Sequence, residues 1–142
     1  VETGTENDYH HMSYYCVHNP YWSGEIKLAQ DSLQPMEMSK RKVIARRAAL
    51  ELERGDIVNI GIGMPEGVPN IAFEEGIIDD ITLTTEAGLI GGLGAGGHNF
   101  GPATNPTAFQ TMNEQFAFYN GGGLSICFLG CAQVSPMGDV NV

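Results

Sequence analysis

A single carboxylate, Glu86, follows the run Ile81-Thr82-Leu83-Thr84-Thr85 and opens into a glycine-dominated stretch from Ala87 to Gly97. The run predicts a buried strand, so Glu86 falls at the carboxyl end of that strand, the edge where ligands of open α/β sheets bind. The loop after it carries Gly88, Gly91, Gly92, Gly96 and Gly97. Glycine lets main chain approach a substrate closely and aim N–H donors that bulkier residues would block. An acid so placed is a candidate for chemistry. A solvated surface Glu beside a flexible turn is the alternative that position alone leaves open.

Two further glycine loops flank predicted strands. Gly61-Ile62-Gly63-Met64-Pro65 follows Asp56–Ile60, and Gly121-Gly122-Gly123 precedes Leu124–Leu129. The first approaches a dinucleotide fingerprint, but its third glycine, Gly67, comes one place late. No acidic residue closes the next strand except Glu86 itself. His10, His11, Cys16 and His18 match no standard zinc spacing, so no metal is expected.

The elements that must position these groups follow from punctuation and period. Ser39 is an N-cap for a helix from Lys40 to about Glu53, with Val43, Ile44, Ala48 and Leu52 near helical spacing, a solvated basic face, and Gly55 as its stop. Pro69 to Glu75 predicts a short helix closed by Gly76, and Asn105 before Pro106 predicts another through about Met112. Pro136 to Asp139 reads as a tight turn. Alternating helix and strand with short connections predicts an α/β fold: an open, mostly parallel sheet with right-handed crossovers and helices on both faces. Residues 1–38 lack either period and read as a linker or irregular arm, with Tyr14, Tyr15, Tyr21 and Trp22 as anchors. Met64, Leu89, Ile90 and Phe109 could narrow a pocket, although each also suits plain core.

Charge excludes some partners. All seven basic residues lie at or before Arg54 in a chain of net charge -10, which argues against nucleic acid. Cationic help for a phosphate would have to come from the Lys40–Arg47 cluster or from outside the segment. Three cysteines imply no disulfide framework, and no apolar stretch approaches 18 residues, so a cytoplasmic, non-membrane setting is expected.

Taken in order, Arg41 to Leu52, Gly61 to Pro65, Thr85-Glu86-Ala87-Gly88, Gly91-Gly92, Gly96-Gly97, Gly121 to Gly123 and Leu129-Gly130-Cys131-Ala132-Gln133-Val134 resemble the family I coenzyme A transferases, in the propionate and acetate branch. Asn19 to Gly24 is similar to the connection between halves of single-chain members. The resemblance covers residues 39–142 and implies the front part of a C-terminal, β-type CoA-transferase domain of the NagB/RpiA-like kind, truncated. It further implies that Glu86 is the catalytic glutamate, that Gly121 and Gly122 stabilise an oxyanion, and that Gly61, Gly63 and Met64 line the same site. Ala87, Gly88, Gly91, Gly92, Gly96 and Gly97 form the supporting loop. No permanently bound cofactor is implied; coenzyme A serves as substrate and covalent adduct. The partners implied are an acyl-CoA, a carboxylic acid, the α-type half and the rest of the β-type half, within a homo-oligomer of complete chains. The segment alone is expected to be inactive. An acyl-CoA hydrolase on the same scaffold, and a non-catalytic nucleotide-binding or interaction domain, are the competing readings.

Overall fold

The computed structural model describes residues 19–29, 34–95 and 101–142. The histidine and tyrosine group before residue 19, and Gly96 and Gly97, lie outside the described residues. Helix α1, Lys40–Ala49, starts at Ser39, whose Oγ accepts from the Lys42 amide at 3.2 Å. It stops before the expected Glu53 because the amides of Glu51 and Leu52 turn back onto the carbonyls of Ala48 and Ala49. Such a tightened last turn is a common helix end.

The buried face of α1 differs from the expected one. Lys42, Ala45 and Ala49 face inward, while Val43 and Ile44 are more than half exposed. Lys42 can occupy that face because its ammonium lies 2.7 Å from the Glu74 carboxylate and donates to Met36 O at 2.7 Å. Glu74 also accepts from the Met36 amide at 2.6 Å. A buried charge is tolerated only when paired in this way. The Lys42 and Met36 hydrogen bonds hold the Glu74 carboxyl below the usual carboxylate range. Arg41, Arg46, Arg47 and Arg54 pair with Glu66, Glu75, Glu51 and Asp80 respectively, so most of the basic cluster is committed to local carboxylates.

The strands are β1 Ile57–Ile60, β2 Thr82–Thr84, β3 Leu89–Ile90, β4 Leu93–Gly94, β5 Ala103–Thr104, β6 Ala108–Phe109, β7 Ile126–Phe128, β8 Gln133–Val134 and β9 Val140–Asn141. Helices α2, Gly67–Glu74, and α3, Met112–Phe118, are the other α-helices among the described residues, and short helical turns cover Met64–Glu66, Ile78–Asp80 and Tyr119–Gly123. The main sheet has the order β6-β3-β2-β1-β7, and β4-β5 and β8-β9 form separate pairs. β1 runs parallel to β2 and β7, whereas β3 runs antiparallel to both β2 and β6. The sheet is therefore mixed, parallel only at its centre, because the chain leaves β2 through a hairpin rather than a crossover. Pro136 to Gly138 makes the expected turn, here between β8 and β9.

Side chains alternate across the sheet, and the two faces of β1 are unlike. Val58 and Ile60, with Leu83 of β2, pack against Ala45 and Ala49 of α1 and Val68 and Ile71 of α2. Each fully buried aliphatic there stabilises the fold by about 1.5–3 kcal/mol relative to exposure. Asn59 and Thr84 are register partners on the opposite face, and Cys127 of β7 is the other partner of Asn59.

No helix forms at Asn105. Its backbone is left-handed, with φ 58°, and its side chain accepts from Leu28 N and donates to Leu28 O, each at 2.8 Å. Asn105 thus fastens the arm to the β5–β6 connection. Helix α3 begins later, at Thr111, whose hydroxyl accepts from the Glu114 amide while Glu114 accepts from Thr111 N at 2.8 Å. This reciprocal cap was the true start signal in the sequence.

Candidate active site

Glu86 stands at the tip of a tight turn. Gly88 N donates to Thr85 O at 3.0 Å, and Thr85 N donates to Leu89 O at 3.0 Å, so Glu86 and Ala87 cap the β2–β3 hairpin. The Thr85 hydroxyl accepts from Leu89 N at 3.3 Å and stiffens the same turn. Gly88 adopts φ +102°, and a Cβ there would lie 2.0 Å from Gln110 O. Gly91 and Gly92 face Thr107 and the Thr104–Asn105 backbone just as closely. These glycines serve close approach within the protein itself, and their stretch is a pair of short strands rather than an open loop.

Parallel register puts the C-terminal ends of β1, β2 and β7 along one edge. Asn59 sits beside Thr84, so the Gly61–Gly63 loop leaves β1 beside the turn that carries Glu86. Asn59 is only 6% exposed, and its Nδ2 donates to Glu86 Oε1 at 3.3 Å. Glu86 itself is half-buried. Thr84, also on this face, donates to Val58 O at 2.9 Å and accepts from the Tyr119 hydroxyl at 2.7 Å. Gln115 on α3 is fully buried and accepts from Gln110 Nε2 at 2.6 Å. Burial pushes the Tyr119 phenol above its ordinary value; contacts with Thr84 and Gln115 lower it, and the Glu86 charge adds to the rise. Asn59, Thr84, Gln115 and Tyr119 therefore make a polar floor beside the acid. Asn59 Oδ1 has no hydrogen-bond partner in it.

The glycines of the sequence reading take different places. Gly61 N donates to Phe128 O and Gly63 N to Glu66 Oε1, both at 2.8 Å, so neither amide is available to a ligand. Arg41 donates to Gly63 O and fixes the loop from the outside. Gly61 and Gly63 are thus shaping residues, while Met64 opens a short 3-10 turn and is partly exposed. The first amides of such a turn have no partner within it. Gly121 and Gly122 lie before β7, whose Ser125 amide already pairs with Ile57 O at the start of β1. Register therefore sets them toward the opposite end of the strands from Glu86, and the structure does not bring them to the acid. Gly130, after β7, borders the Gly61–Gly63 loop instead: a Cβ there would lie 3.2 Å from Ile62 O. Leu89 is plain core, and Ile90 lines a cavity of about 530 Å³ beneath the arm with Lys27, Leu28 and Phe73. That cavity is not at Glu86.

Sequence reasoning missed Asn59, Thr84, Gln115 and Tyr119. Asn59 alone had a visible signal, as the one amide in the apolar run Ile57-Val58-Asn59-Ile60. Among the described residues no group of three His, Cys, Asp or Glu could hold a metal ion, and no helix is long and apolar enough to cross a membrane.

No family model matches the chain. It is 40% identical over 125 residues to a caffeate CoA-transferase of Acetobacterium woodii, covering 88% of this chain and 24% of that protein. It is 40% identical over 124 residues to the acetate CoA-transferase YdiF of Escherichia coli K12, covering 87% and 23%. The acetate CoA-transferase subunit beta of the same strain is 41% identical over 108 residues, covering 68% and 48%. A crystal structure of the acyl-CoA transferase YdiF from E. coli O157:H7, a thioester complex with CoA, superposes with TM-score 0.75 at 38% identity, covering 91% of this chain and 23% of that one. The chain spans about a quarter of the length of the first two relatives.

Proposed function

From the premise that this chain belongs to the family I coenzyme A transferases, in a part of the β-type half, we propose that it carries the nucleophile of an enzyme exchanging CoA between a short-chain acyl-CoA and a free carboxylic acid. Glu86 is that nucleophile. The observation that carries the reading is the buried Asn59 amide donating to a half-buried carboxylate at a stiff hairpin tip.

A hydrated carboxylate is a poor nucleophile, so the site must remove water from Glu86 while keeping it charged. The polar floor and Asn59 supply fixed dipoles in place of that water. A Glu86 oxygen attacks the thioester carbonyl, the C–S bond breaks, and an acyl-glutamyl anhydride and CoA thiolate result. The thiolate then attacks the glutamyl carbonyl, and the first acid leaves as its carboxylate. An incoming carboxylate attacks the glutamyl-CoA thioester and the two steps run in reverse, with no net proton required. Each addition passes through an oxyanion, for which one well-aimed donor is worth about 3–4 kcal/mol. The amides of Ile62 and Met64, in the loop beside Glu86, are the donors in this reading, since Gly61 and Gly63 are already engaged.

The CoA phosphate contacts come from other parts of the enzyme, the α-type half or the rest of the β-type half, because no Lys or Arg follows Arg54 and most of the basic cluster is paired. A cytoplasmic homo-oligomer fits this arrangement. The test is mass spectrometry of the assembled enzyme incubated with an acyl-CoA and trapped. A CoA adduct on Glu86, lost together with exchange in Glu86→Ala, is expected. An active enzyme with no adduct on Glu86 refutes the proposal.

A further inference from the structure

A one-way chain of hydroxyls crosses three elements beneath the acid. The Thr84 hydroxyl gives its proton to Val58 O, at 2.9 Å, so the Tyr119 hydroxyl must be the donor in its 2.7 Å contact with Thr84. This chain ties the end of α3 to β2 and β2 to β1. The residues it joins flank the site: Thr84 lies two places before Glu86, and Val58 directly before Asn59, which donates to Glu86. The Tyr119 ring meets Phe116, one turn earlier in the chain, edge-on at 5.9 Å. Gln115, fully buried one turn before it, is a second polar group held at the same spot.

We propose that Tyr119 is a positioning residue for Glu86, its hydroxyl locking α3, β2 and β1 together so that the carboxylate stays beside Asn59 and aligned for attack. This rests on the reading of Glu86 as nucleophile. Tyr119 touches neither the substrate nor the reacting atoms in this scheme; it acts through Thr84. Alignment of reacting groups is steeply rewarded, and a displacement near 1 Å costs about 100-fold in rate.

The experiment is single-turnover formation of the Glu86–CoA adduct in the assembled enzyme, with steady-state kcat and KM, for Tyr119→Phe, Thr84→Val, Thr84→Ser and Glu86→Ala. Tyr119→Phe and Thr84→Val are expected to slow adduct formation and kcat by about 10- to 100-fold. KM for acyl-CoA should stay within about twofold, the double variant should be no slower than the worse single one, and Thr84→Ser, which keeps the hydroxyl, should restore the rate. Wild-type rates in Tyr119→Phe with Glu86→Ala inactive would overturn this inference and leave the nucleophile assignment standing. Full activity in Glu86→Ala would remove both. Should Tyr119→Phe fail to fold, the Thr84 pair decides: equal rates in Thr84→Val and Thr84→Ser overturn the proposal.

Discussion

Replacing Gly88 by Ala should destabilise the domain far more than the same change at Gly63, although both glycines have positive φ. At Gly63, φ is +90° and a Cβ would meet nothing within 4 Å, so the cost is backbone strain alone, about 1–3 kcal/mol. At Gly88, φ is +102° and the Cβ would lie 2.0 Å from Gln110 O and 2.9 Å from Gln110 C. Comfortable separations are nearer to about 3.5 Å, so the Gln110 backbone must retreat by an ångström or so. Its retreat breaks the 2.8 Å bond from Gln110 N to Gly88 O, worth about 0.5–1.5 kcal/mol, and the overpacking itself costs about 1–3 kcal/mol. With strain included, Gly88→Ala should lose about 3–7 kcal/mol, a large part of the roughly 5–15 kcal/mol that holds a domain folded. Urea unfolding of the assembled enzyme, followed by circular dichroism, reads both variants. Coincident midpoints for Gly88→Ala and Gly63→Ala would refute the argument from close approach.

Asn105→Ala removes both hydrogen bonds to Leu28 and should loosen the arm by about 1–2 kcal/mol; limited proteolysis within residues 19–29 should quicken while the rest of the domain stays resistant. Glu74 has a lowered carboxyl pKa, so its contribution to stability is present above the ordinary value of 4.5 and is lost as pH falls through the lowered one. Glu74→Gln should therefore flatten the acid limb of a stability-against-pH curve; an unchanged limb would show that the Lys42 and Met36 contacts do not matter to folding. Loss of exchange in Glu86→Ala with a retained fold, and the kinetic defect of Tyr119→Phe, complete the expectations.

The strand-end position of Glu86 was legible because β-branched and apolar residues before it left little choice but a buried strand. The helix at Ser39 was legible from its cap. What failed did so for specific causes. Val43 and Ile44 fit helical spacing, yet α1 buries Lys42, whose partner Glu74 is distant in sequence and whose pairing no local pattern announces. Asn105-Pro106 carries a start signal, but the Asn side chain is used on Leu28 and its left-handed backbone cannot open a helix. The sequence already put the Gly121–Gly123 run before its strand and the Gly61–Gly63 loop after its own; only the parallel pairing of β1 with β7 shows that this sets them at opposite ends of neighbouring strands. Tyr119 and Gln115 were invisible because their worth depends on α3 crossing the Thr84 face, a tertiary fact.

The unlike faces of β1 and β2 carry a consequence for how this segment tolerates change. Val58, Ile60 and Leu83 answer to the oily side, where Val58→Ala or Leu83→Ala lowers the amount of folded protein by about 2–5 kcal/mol of stability. Asn59 and Thr84 answer to the chemistry side, where small changes can spare abundance and silence turnover. Walking residue by residue along either strand, the phenotype of substitution should alternate between missing protein and idle protein, a two-step beat written by the pleat of the backbone.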